Sequence, residues 1–212
     1  MDDLVLLSET VHELERVIAG LDGDEMDAVT NCAPWTVRRL ASHVLKNQLF
    51  WAGLVTGQDL MPQEEAMSAA PYTGDLAPIA ADVAAQVVHL WHTDGVMTAG
   101  HQTPFGELPG AVVVNFALID AAAHAWDLSA SIGHAIEFAP EWIPGLTGVV
   151  ELTCTEHTVE LGLVKPPTRA PAGATDTQRL MAAAGRTIPA GALVGLGRLN
   201  PPATRRGNET SA

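Results

Sequence analysis

Residues 111–133, AVVVNFALIDAAAHAWDLSASIG, constrain the fold more than any other stretch of the chain. They read as one helix from about Ala111 to Ile132, closed by Gly133. The segment is so apolar that most of its circumference has to be covered by other parts of the protein. That requirement points to a bundle in which other helices pack around it.

The rest of the chain supplies those partners. Leu4, Leu7, Val11, Leu14, Ile18 and Leu21 recur at alternating steps of three and four, giving a first helix over residues 2–21 that ends at Gly20 and the turn-like DGD at 22–24. A loop runs on to Trp35, and Thr36 is placed to cap a second helix. Val37, Leu40, Val44, Gln48, Trp51 and Val55 form its inward line, and Gly57 stops it. Residues 58–74, with Pro62, Pro71 and Gly74, read as a long connection. A third helix is expected from about Pro78 to Met97, with Ile79, Val83, Val87 and Leu90 inward, followed by a turn-rich loop over 98–110.

Four long helices without β-alternation between them predict an all-α four-helix bundle, and the long second connection leaves the helix order open. Further on, Pro140–His157 reads as helical through Trp142, Leu146, Val149 and Val150, with Pro140 suited to a first turn. Residues 164–175 are a Pro/Ala linker, and Asp176 is expected to cap a short helix through Ala184. These are short additions after the bundle. Residues 1–190 are thus expected to form one domain and residues 191–212, including NPPATRRGNETSA, a mobile tail. No internal repeat is visible.

Composition narrows the function classes. With 212 residues, 47% hydrophobic and 17% charged, the chain can bury a sizeable core. Its formal charge of −14 repels phosphate backbones, which argues against a nucleic-acid partner. No stretch approaches the roughly 18 uninterrupted apolar residues of a spanning helix, so no membrane partner is expected. The N-terminus opens with two acids rather than a basic signal region, and two cysteines suit a reducing compartment, so a cytoplasmic location is expected.

Polar groups on inward faces carry the chemistry. Asp120, His124 and Asp127 are spaced by four and then three residues, so they share one face of the apolar helix. A buried carboxylate needs something to offset its charge. A metal ion held by Asp120 and His124 would do so, since one helical turn separates two ligands by a suitable bite. The alternative is a hydrogen-bonded Asp120–His124 pair with Asp127 at the surface. His43, between Leu40 and Val44 on the second helix, is either a satisfied core histidine or a third ligand, if the bundle brings its second and fourth helices together. Three protein ligands leave positions open, as in catalytic rather than structural metal sites. His89 and His92 read as a solvated or rim face, Cys154 and His157 as an accidental half-site, and Cys32 as loop packing. Trp35, Trp51 and Trp126 read most simply as core anchors.

Three motifs add a family resemblance. TNCAPWTVRRLASH, residues 30–43, is similar to the signature TPCxxWxVxDLxxH; Asp120–Leu128 resembles E/DxxxHxWDL; and the run from Arg179-Leu180-Met181 to Gly185-Arg186 resembles RLLxxLGR. In this order the three resemble the metal-binding domain of mycothiol-dependent maleylpyruvate isomerases and related actinobacterial proteins, within the DinB-like superfamily. The resemblance covers roughly residues 5–190. It implies a DinB-like four-helix bundle with a divalent metal held by His43, Asp120 and His124, the positions that helix geometry also singles out. The chain departs from the pattern at three places: Asp120 is one methylene shorter than the usual glutamate, Arg39 replaces an acid, and Asn31 stands where the motif has proline. A counterpart of the separate C-terminal domain of the full-length isomerase is not expected in this sequence, so isomerase activity is not implied by the motifs alone.

The function expected from these features is activation of a small thiol, mycothiol as the resemblance implies, by the metal for transfer to, or isomerisation of, a small electrophile. Zinc is the first expectation for the ion, with nickel, iron and manganese also suited to the donors. Asp127 would orient a ligand from behind, and Asn47 and Gln48 would hydrogen-bond bound water or substrate. In so acidic a protein a thiol pocket needs local arginine, for which Arg38 or Arg39 are candidates. A metal-dependent hydrolase using bound water, and a non-enzymatic metal- or ligand-binding bundle, are the alternatives. A homodimer is compatible with the sequence.

Overall fold

The computed structural model describes residues 1–68 and 70–188. The expected tail over 191–212 lies outside the described residues. Helix α1 (Asp3–Ala19) starts where the Asp2 carboxylate accepts from the Leu4 amide. Helix α2 (Val37–Thr56) starts where the Thr36 hydroxyl oxygen accepts from the Arg39 amide, and ends at Gly57, whose φ of 69° is left-handed. Helix α3 (Gln63–Ala66) interrupts the long connection. Helix α4 (Leu76–Trp91) is capped by Asp75. Strands β1 (Gly100–Thr103) and β2 (Gly106–Pro109) pair antiparallel, and α5 (Gly110–Ser131) follows directly.

Around the bundle, α5 packs on α1 and α2, and α4 packs on the same two helices from the other side. So α1 and α2 occupy opposite corners, and the chain crosses the bundle end between them. This arrangement sets α2 beside α5, which is the adjacency the site requires. Trp91, Trp126, Leu40, Leu118 and Leu128 are among the fully buried side chains that fill the centre. Among the described helices, α5 alone has the length and hydropathy of a membrane span, and 67% of its most apolar window is buried inside the protein. Packing against α1, α2 and α6 accounts for that character.

Several boundaries differ from the sequence expectation. The third long helix spans Leu76–Trp91 rather than Pro78–Met97, because the chain turns at Gly95 (φ 83°) and Val96 folds back as core. The segment 98–110 is a hairpin rather than a loop; it leads tightly into α5, where a Cβ on Gly110 would lie 2.0 Å from the Val96 carbonyl oxygen. The Pro140–His157 helix divides into α6 (Ile143–Thr153) and α7 (Glu156–Glu160), since the Thr155 side chain caps a new start. In α8 (Asp176–Ala183) the cap is Thr175, with Gln178 completing a reciprocal box, and Asp176 is the first helical residue.

Candidate metal centre

Helix α2 carries His43 on the side that faces α5, and α5 presents Asp120 and His124 one turn apart. One donor atom from each of the three lies within 4.8 Å of the others. His43 Nδ1 lies 2.9 Å from the Ala66 carbonyl of α3. A carbonyl can only accept, so that nitrogen carries the proton and Nε2 holds the lone pair. His124 meets a carboxylate at each ring nitrogen. Its Nδ1 lies 3.0 Å from Asp127 Oδ2 and its Nε2 lies 3.5 Å from Asp120 Oδ1. Asp120 is steadied in turn by Gln48, whose amide nitrogen donates to Asp120 Oδ2 at 3.2 Å and to the Ala117 carbonyl at 3.0 Å.

Behind His124 the charges are arranged around one oxygen. Asp127 is fully buried, and its Oδ2 accepts from Arg186 Nε (3.2 Å) and Nη2 (3.0 Å), from His124, and from the Cys32 thiol at 3.5 Å. Burial alone would raise the Asp127 pKa, but the Arg186 charge and the His124 hydrogen bond outweigh it and hold it at about 2. Burial opposes charge on His124 as well, yet hydrogen bonds to Asp127 and Cys32 and the nearby Asp120 carry its pKa up to about 10. His43 goes the other way: burial is the largest influence and lowers it, with the Asp120 carboxylate only partly compensating.

This donor set fits a divalent cation. The His43 Nε2 lone pair, the His124 Nε2, whose proton a cation would displace, and one carboxylate converge, and a carboxylate behind His124 holds its Nδ1 proton, as partners of metal-bound histidines do. Cys32, His124 and Asp127 form a second cluster with donor atoms within 4.8 Å. There, however, Arg186 already offsets the Asp127 charge, and a cation would face the guanidinium. The first set is the better ion site.

The set opens onto a cleft of 770 Å³, with Trp35 edge-on to the His43 ring at 4.7 Å. Asn47 lines this cleft one turn beyond His43. Gln48 does not; it is buried and faces Asp120 rather than a ligand. Arg38 is also elsewhere, donating to the Tyr72 and Gly74 carbonyls, and the Arg39 guanidinium lies 5.4 Å above the Trp35 ring. Among the described residues, the lysine and arginine that line the cleft are Lys165, bonded to the Asn31 carbonyl at 2.8 Å, and Arg186. Cys32, read as loop packing, belongs to the site through its thiol. Asp127, which one reading put at the surface, is buried. His89 and His92 are exposed, with His92 Nε2 3.2 Å from the Ser8 hydroxyl. Trp51 and Trp35 line the cleft, while Trp126 is wholly core. The RLLxxLGR-like motif was the one sequence signal for Arg186; nothing in the sequence marked Lys165.

Comparison with known proteins agrees with this architecture. The chain is 29% identical over 143 residues to uncharacterised proteins from two strains of Mycobacterium tuberculosis, covering 66% of this chain and 73% of theirs. The crystal structure of the mycothiol-dependent maleylpyruvate isomerase superposes with a TM-score of 0.57 at 18% identity, covering 77% of this chain and 72% of that one. A histidine-to-alanine mutant of that enzyme superposes equally, at 16% identity. At such identities the likeness is one of fold, the DinB-like helical bundle that the motifs implied. The model of the mycothiol maleylpyruvate isomerase N-terminal domain matches residues 7–129, more than half of the chain, and the chain belongs to that family.

Proposed function

We propose that this chain binds a divalent cation through His43, Asp120 and His124 and uses it in a thiol-dependent transfer or isomerisation of a small electrophile, with mycothiol as the thiol. The observation that carries this reading is the convergence of the three donors on one side of an open cleft. Two imidazoles and a carboxylate suit zinc first, and also nickel, iron or manganese. When bound at such an open site, a divalent cation lowers the pKa of a thiol and polarises a carbonyl.

The chain's own groups supply the rest. Asp127 holds the Nδ1 proton of His124, so that Nε2 is the nitrogen left to a cation once its proton is displaced, and Gln48 fixes the Asp120 carboxylate. Asn47 offers an amide to substrate or water along the cleft. Lys165 places a positive charge on one wall of a protein whose formal charge is −14, where an incoming thiolate or an oxyanion gains from it, while Arg186 is spent on Asp127.

Metal content per chain, measured by elemental analysis on untagged wild type and His43→Ala, tests the ligand set. Near-stoichiometric metal that falls sharply in the variant supports it; a wild type that fails to take up zinc, nickel or iron overturns it. Turnover of electrophiles that rises with added mycothiol supports the thiol, and metal-dependent hydrolysis indifferent to thiol replaces it with metal-bound water.

A further inference from the structure

The cleft changes character along its length. Helix α2 contributes His43, Asn47, Phe50 and Trp51 to it, and α5 contributes Phe116, Asp120 and His124. His43 lies near His124, and Trp51 stacks on Phe116, with ring centroids 5.3 Å apart and planes inclined by 15°. The two helices are therefore antiparallel here, and both place their donors at one end and their aromatic rings at the other. Phe50 meets Trp51 edge-on at 4.9 Å, and Phe105, from the hairpin tip, lies 5.2 Å from Phe116. Three of the chain's four phenylalanines line this one wall, so the concentration is local rather than a property of the composition.

The charges are distributed oppositely. Arg186 sits beside Asp127, and Lys165 bonds the Asn31 carbonyl next to Cys32, so among the described residues the lining lysine and arginine both belong to the polar end. Along α5, Phe116 is about 6 Å from Asp120 and about 12 Å from His124 at 1.5 Å per residue. A planar group of one or two fused rings spans that interval. Phe105 is 43% exposed although it is apolar and touches Phe116, which leaves a ring edge open to a ligand.

We propose that the electrophile accepted by this chain carries an aromatic group, which lies against Trp51, Phe105 and Phe116 while its reacting centre lies at the His43–Asp120–His124 end. This rests on the proposed function for where reaction occurs, but not for the binding of the ring. A small dicarboxylate would leave the aromatic end unfilled and would find no lysine or arginine there among the described residues.

The test uses the full chain as purified and calorimetric titration with 2-naphthol, a neutral ring without an electrophilic centre, against maleate. Wild type is expected to bind 2-naphthol at least about tenfold more tightly than maleate, the loss of ring contacts in Phe105→Ala is expected to weaken it about fivefold, and the double variant Phe105→Ala/Phe116→Leu more than either change alone. Leu152→Ala, at an exposed residue outside the cleft, is expected to bind as wild type does. Circular dichroism melts check that each variant folds, and Phe105, at an exposed hairpin tip, is the substitution least able to disturb folding. Equal or weaker affinity for 2-naphthol than for maleate, or unchanged affinity in folded Phe105→Ala and double variants, overturns the proposal. His43→Ala separates the two readings: it is expected to lose metal and keep 2-naphthol. Metal-loaded wild type that ignores 2-naphthol removes the aromatic subsite and keeps the ligand set; metal-free wild type that binds it does the reverse.

Discussion

His124 donates its Nδ1 proton to Asp127 across 3.0 Å, and this leaves its other nitrogen turned to Asp120 and His43. Asp127 can do this because Arg186 offsets its charge inside the core. Replacing Asp127 by Asn keeps the shape but removes the charge, leaving Arg186 buried without its counterion. Stability is expected to fall by about 3 kcal/mol. Metal affinity is expected to fall about tenfold or more through the loosened imidazole. Urea denaturation and zinc titration of Asp127→Asn measure the two effects separately.

The same cluster sets a pH profile for the metal-free protein. His124 is raised from 6.5 to about 10, so its contribution is complete below 6.5 and is lost as pH rises through about 10. His43 is lowered, so its burial as a neutral ring favours folding above 6.5 and is opposed as pH falls below it. Asp127, lowered from 3.8 to about 2, contributes above 3.8 and loses that contribution as pH falls through about 2. Stability should therefore peak near pH 6.5 and decline on both sides. Bound metal takes the place of the Nε2 proton of His124, so the alkaline decline should disappear on loading, and affinity should rise with pH. Denaturation midpoints across this range, with and without chelator, decide it; an alkaline limb identical in both states would contradict the assignment of His124.

How much of this was readable in the sequence follows from helix periodicity. Apolar spacing located all four long helices, and the four-then-three spacing of Asp120, His124 and Asp127 placed them on one face. The same arithmetic explains the misplaced residues. Asn47 is four residues from His43 and points into the cleft with it, while Gln48 and Arg38 are each five away, about 140° around the helix. Gln48 therefore faces the core and Arg38 the loop that ends at Gly74. Cys32, Lys165 and Arg186 reach the site from irregular segments, for which no period exists to be read. The hairpin escaped notice because its two four-residue strands pair with each other and bury no continuous face.

Gln48 offers a clean separation of positioning from packing. It is buried, it donates to Asp120, and its own Oε1 is buried without a partner. Gln48→Met preserves length and removes both the hydrogen bond and the orphaned acceptor. Stability is expected to change by less than about 1 kcal/mol, because those two losses oppose each other. Zinc affinity is expected to fall about tenfold as Asp120 gains freedom. An affinity equal to wild type would show that Asp120 needs no such support.

The last prediction concerns the connection over 58–75, which α2 holds at successive turns. Arg38 donates to the Tyr72 and Gly74 carbonyls, the Ser42 hydroxyl accepts from the Tyr72 amide, His43 donates to Ala66, and Lys46 donates to Ala70 at 2.9 Å while lying 3.4 Å from Glu65. Lys46 is almost wholly buried, and its ammonium also lies 5.2 Å from the Tyr72 ring. Lys46→Met leaves the Ala70 carbonyl without this donor and Glu65 without its cation, while keeping the bulk of the side chain. The Ala66 carbonyl that orients His43 belongs to the same strap, so loosening it should also free the imidazole. Limited proteolysis should cut Lys46→Met faster between residues 58 and 75, and zinc affinity should fall about threefold, less than for direct loss of a ligand. Faster cutting with unchanged zinc affinity would mean that the strap covers the bundle without orienting His43.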